Sequence, residues 1–86
     1  MHRLMRVIAI ISLVVLAGCS TDVREAEAAE RRYTLLEQAG GKPDELCQAM
    51  RDVADAWLKA EDEVKYKDWA LRRDIGCRRA EQLGRL

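Results

Sequence analysis

Eighty-six residues bound this chain to a single small domain. Fifteen Lys/Arg balance fifteen Asp/Glu, and the only histidine is His2, so the body of the chain holds no imidazole. That excludes a Cys/His zinc site and a thiol nucleophile served by an imidazole base, and no Ser/His/Asp set, HExxH or phosphate-cradling glycine loop is present.

The chain opens MHRLMRVIAIISLVVLAGC. Arg3 and Arg6 precede an apolar run, Val7 to Leu16, interrupted only by Ser12, and Ala17 and Gly18 follow as small residues. About ten apolar residues fall well short of the roughly twenty that a spanning helix needs. Positive start, short apolar run and small-residue exit together have the form of a signal peptide. The end of the run, Leu16-Ala17-Gly18-Cys19, resembles the lipobox of bacterial lipoprotein precursors. The resemblance implies cleavage before Cys19, so that residues 1–18 are a signal peptide. It also implies a diacylglycerol on the Cys19 thiol and an acylated new amine. Several chains are needed, because one acyl chain holds a protein at a membrane only marginally. In enterobacterial lipoproteins an Asp after the cysteine favours the inner membrane. Ser20 therefore implies the outer membrane, with the protein on its periplasmic face in the cell envelope.

The chain from residue 19 onward reads as all-α. Glu, Ala, Arg, Leu and Lys dominate, and neither long alternation nor a hairpin dipeptide marks a strand. Residues 19–42 read as a lipidated N-terminus, a first helix and a Gly-Gly turn. Asp22 can cap that helix, with Glu25 as its reciprocal partner. Val23, Ala26, Ala29, Tyr33 and Leu36 recur at steps of three and four, and Gly40-Gly41 stops the helix. Pro43 suits the first position of a second helix, with Asp44 and Glu45 at its positive end. Along that helix Leu46, Met50, Val53, Trp57, Ala60 and Val64 form a heptad-like seam, with Cys47, Ala54 and Leu58 on one edge. Beyond Val64 the pattern becomes two-sided. Val64, Leu71 and Ile75 share one side, and Tyr66, Trp69, Ala70, Cys77 and Ala80 take the other.

No Gly or Pro interrupts residues 44–75, so local sequence permits either one long helix or a hairpin. One straight helix would hold Cys47 and Cys77 about 45 Å apart, at 1.5 Å per residue. A disulfide requires Cα atoms within about 7 Å. Export places both thiols in an oxidising compartment, and two cysteines remain once Cys19 is lipidated. Asp62 is the midpoint between them, inside the polar run Lys59–Glu63, so a turn there would set Cys47 against Cys77. Residues 43–86 are thus expected to be a disulfide-tied α-hairpin. The whole is expected to be either that hairpin or a three-helix bundle. Gly76 is expected to weaken or end the third helix.

Charge is uneven. Residues 20–64 carry 6 Lys/Arg against 12 Asp/Glu, and residues 65–86 carry 7 against 3. Either the halves fold against each other, or the basic end meets an anionic surface. Nucleic acid is not expected at this location with so short a patch. Tyr66, Trp69, Arg72 and Arg73 are the candidate partner contacts, since aromatics and Arg dominate binding hot spots. No metal, cofactor or small-molecule substrate is expected beyond the covalent lipid on Cys19. The functional expectation is a non-enzymatic, membrane-anchored structural or interaction module with an envelope protein partner. Two specialised alternatives share the leader and the size: an outer-membrane spanin-type lysis lipoprotein of a phage, and an exclusion or secretion-accessory lipoprotein of a conjugation system.

Overall fold

A computed structural model describes residues 21–84, which form three helices and, among the described residues, no strand. Helix α1 covers residues 21–38, α2 runs Pro43–Lys59 and α3 runs Glu63–Gly84. Residues 1–20, with the expected signal peptide and the lipidation expected at Cys19, lie outside the described residues. The fold is all-α, and of the two arrangements open to the sequence it takes the three-helix bundle.

Thr21 and Asp22 are already helical, so Asp22 does not cap α1. Its carboxylate instead lies 4.0 Å from the Lys59 ammonium, which also meets Glu25 at 3.3 Å. The end of α1 follows from its glycines. Gly40 adopts a left-handed φ of 76°. The Gly40 N–H donates to the Glu37 carbonyl and the Gly41 N–H to the Leu36 carbonyl, capping carbonyls that the helix leaves unpaired. A Cβ at Gly41 would strike the Leu36 side chain, so glycine is needed there for close approach. Pro43 then opens α2 at its first position, where a missing N–H costs nothing.

Between α2 and α3 the chain reverses in three residues. Glu61 sits at φ 60°, the conformation that glycine holds after α1. Its N–H donates to the Leu58 carbonyl and the Asp62 N–H to the Trp57 carbonyl, repeating the same terminating pattern. Asp62 then serves as the N-cap of α3, its Oδ1 accepting the Lys65 N–H at 3.1 Å. A helix stop joined directly to a helix start explains how the polar run turns without glycine or proline. The reversal places Cys47 and Cys77 with Cα atoms 4.7 Å apart, joined by a disulfide.

Ala26, Ala29, Met50, Val53, Ala54, Trp57 and Trp69 make the core. Ala26, Ala29 and Ala54 are small enough for helices to approach closely, and the two indoles fill the remaining space between them. The seam of α2 is buried from Met50 to Trp57 but does not continue to Val64, which follows the turn and is 81% exposed. Leu58, at the seam's edge, is also exposed. Gly76 does not end α3, which continues to Gly84. It sits against Met50, whose terminal methyl would meet any Cβ placed there. The two unevenly charged stretches fold against each other through apolar residues, with their ion pairs on the outside. Lys67–Glu63, Arg72–Asp68 and Arg73–Asp74 all lie within α3, and Lys59 joins α2 to α1. Among the described residues no ion pair joins α3 to α1 or α2.

Candidate functional site

The best-built polar feature joins all three helices at one atom. Glu30 of α1 is half-buried, and its Oε1 accepts the indole N–H of Trp57 from α2 and that of Trp69 from α3, each at 2.8 Å. Two buried indole donors would otherwise be left unpaired, and one carboxylate oxygen satisfies both. Around this node the rings are held from outside. The Tyr33 ring meets the Trp69 ring edge-on at 5.3 Å between centroids. Arg72 lies 4.6 Å over Trp69 and Lys65 5.1 Å over Trp57. The Tyr33 hydroxyl donates to Glu37 at 2.9 Å. Partial burial, and then that hydrogen bond to a carboxylate, push its pKa above the ordinary 10.0.

Glu30 is the member of this node that helical periodicity does not pick out as special. Its signal lies in position: it stands four residues after Ala26 and three before Tyr33, a carboxylate on the face that should be apolar. A charged residue placed among core positions needs partners, and here the tryptophans supply them.

The four candidate contacts separate. Trp69 is 7% exposed and belongs to the core, with its only polar atom committed to Glu30. Tyr66 is half-buried and packs against the same core. Arg72 is exposed but spends its guanidinium on Asp68 at 3.4 Å and on the Trp69 face. Arg73 is half-buried and pairs with Asp74 at 3.2 Å, which raises its already high pKa. Of these four, Trp69 and Tyr66 also pack within the bundle, Arg72 also covers the Trp69 ring, and Arg73 also pairs with Asp74.

The open surface lies on the other side of α3. Val64, Leu71 and Ile75 are 81%, 60% and 57% exposed, and Leu83 is exposed nearer the helix end. Arg78 and Arg79 flank this stripe and join none of the ion pairs among the described residues. Beside it, where α1 has ended and α3 continues, an open groove of about 510 Å³ has a floor of Pro43, Leu46, Met50 and Ile75 between Glu37 and Arg79. No group of three His, Cys, Asp or Glu capable of holding a metal occurs among the described residues. Comparison with family models, with curated proteins and with solved structures finds no match to this chain.

Proposed function

We propose that this chain is a small envelope lipoprotein, anchored through an acylated Cys19 on the periplasmic face of the outer membrane. Its helical bundle acts there as a non-enzymatic interaction module. The carrying observation is the open face of α3. Of the six large hydrophobic side chains exposed among the described residues, three (Val64, Leu71 and Ile75) share this face and a fourth, Leu83, lies elsewhere on the same helix. A domain with so thin a core that leaves such residues outside is supported as a docking module.

The anchor fits this arrangement. The first described residue of α1 stands two positions after Cys19, so the tether leaves no long linker. The start of α1, the end of α2 and the start of α3 meet at one end of the bundle, where Lys59 reaches Asp22 and Glu25. The disulfide, Arg78 and Arg79 lie toward the opposite end. Lipid would hold the acidic turn near the membrane and present the basic half of α3 away from it.

The test is Cys19→Ser. Metabolic acyl label should disappear, and the protein should accumulate as a precursor or in the soluble fraction. Labelling and membrane fractionation unchanged from the parent would defeat the anchored reading. For the surface, Arg78→Glu with Arg79→Glu is a cleaner probe than substitution of Arg72 and Arg73, whose side chains hold Trp69 and Asp74.

A further inference from the structure

We infer that the open face of α3 pairs with the same face of a second copy of this chain, antiparallel, about a two-fold axis at the level of Arg73. At 100° per residue Val64, Asp68, Leu71, Ile75, Arg78 and Gln82 all fall within about 40° of one line along the helix. They repeat at alternating steps of four and three, the spacing of a two-helix seam. Their opposite side (Tyr66, Trp69, Ala70, Cys77, Ala80) is the one turned to the bundle's own core.

The stripe is self-complementary in one register. Leu71 and Ile75 stand two residues either side of Arg73, Asp68 and Arg78 five either side, and Val64 and Gln82 nine either side. An antiparallel partner centred at Arg73 therefore sets Leu71 on Ile75 twice in the middle. It sets Asp68 of each copy beside Arg78 of the other, and Val64 against the stem of Gln82 at the ends. Lys67 falls level with Arg79 of the second copy, and its ammonium is held by its own Glu63 at 3.0 Å. Asp68 can serve its own Arg72 and the second copy's Arg78 together, since a carboxylate accepts on both oxygens.

The flanking charges that would oppose this pairing are mostly drawn back onto their own chain. Arg72 lies over Trp69, Lys65 over Trp57, and Asp74 on Arg73. Arg79 keeps its solvent. An anionic membrane is the less favoured occupant, because Asp68 lies within the apolar line and Asp74 and Glu81 along its edge. The contact is short, about 27 Å along the helix, and belongs with weak interfaces that high local concentration fills. Membrane anchoring would supply that concentration, but the register itself does not rest on the anchored reading.

The experiment is site-directed cross-linking of the full chain, expressed with its leader and treated with copper phenanthroline in cells and in detergent extract. Leu71→Cys mixed with Ile75→Cys should give a disulfide-linked product of twice the chain mass. That product should exceed the one from either substitution alone, and Leu35→Cys on α1 should give none. Asp68→Arg and Arg78→Asp should each lower the cross-linked fraction by about tenfold, as about 1.4 kcal/mol of lost attraction would. The two substitutions together should restore it, with helix content unchanged by circular dichroism throughout. No dimeric product in cells or extract would overturn the pairing. So would stronger linkage from Leu71→Cys alone, which marks a parallel register, or charge reversals that do not rescue one another. A monomeric chain that instead binds anionic vesicles through Arg78 and Arg79 would assign the face to lipid. Repeating the extract measurement on Cys19→Ser separates the claims: loss of acylation with cross-linking retained removes the anchor and keeps the dimer.

Discussion

Helices α2 and α3 lie side by side in one hairpin, yet α2 buries Cys47, Met50, Val53, Ala54 and Trp57 while the longer α3 buries only Trp69. The difference lies in neighbours and pattern. The apolar residues of α2 lie on a single side, where α1 and α3 cover them. Those of α3 are divided between two opposite sides, and the bundle has covering for only one. Stability is therefore concentrated in α2 and the facing alanines of α1. Surface chemistry is concentrated on α3, where a substitution can alter contacts without emptying the core.

That contrast sets the scale of mutational effects. Trp57→Ala should show the largest loss, about 3–5 kcal/mol in urea unfolding, from the void and the indole bond removed together. Leu71→Ala, on the open side of α3 and measured where the chain is monomeric, should stay within about 0.5 kcal/mol. A Leu71 effect near that of Trp57 would mean the outer face is covered within the monomer and would erase the distinction. Cys47→Ser with Cys77→Ser should cost about 3–4 kcal/mol in the chain-entropy account of a loop closed over a separation of 30 residues. Retained helical circular dichroism with a lowered melting temperature would place the loss in the tie and not in the helices.

Smaller effects sharpen the comparison where the three helices meet. Glu30→Ala leaves two indole N–H groups without their acceptor and should cost about 1–3 kcal/mol, softened by water at this half-exposed position. Glu30→Gln keeps one acceptor oxygen and should lose less. Equal losses from the two would show that the carboxylate charge, and not hydrogen bonding, holds the node. Glu61→Gly should stabilise by about 0.5–1 kcal/mol, because glycine reaches positive φ without the steric cost borne by a side chain. The smallest effect concerns pH. Tyr33 holds its proton more firmly folded than unfolded, so its stabilising contribution is present below pH 10 and lost as pH rises through the raised folded value. Tyr33→Phe should remove that part of the alkaline decline in melting temperature.

Much of the architecture is legible residue by residue. Gly40 and Gly41 end α1 for reasons of backbone freedom and close approach. Pro43 opens α2, and the equal spacing of Cys47 and Cys77 from Asp62 locates the reversal. These signals are local, or depend on one covalent distance, so the chain states them without its neighbours. Glu61 carries no such mark, since a left-handed non-glycine residue is chosen by the surrounding hydrogen bonds and not by its own preference. Gly76 misleads for the opposite reason: its local cost to a helix is real, but Met50 of α2 occupies the space that a side chain would need.

By itself the sequence determined an all-α chain, the turn at Gly40-Gly41 and the apolar faces of α1 and α2, and it pointed to a reversal at Asp62 and a Cys47–Cys77 disulfide without excluding one long helix. Each follows from periodicity, capping or chain geometry along one segment. Only the tertiary structure decided which side of α3 is covered, because both sides are apolar and the choice depends on where α1 and α2 lie. It also decided that Trp69 lies in the core with Arg72 over its ring, and that Glu30 joins three helices through one oxygen. Those outcomes depend on residues far apart in the chain meeting at hydrogen-bond distance, which no single helix specifies.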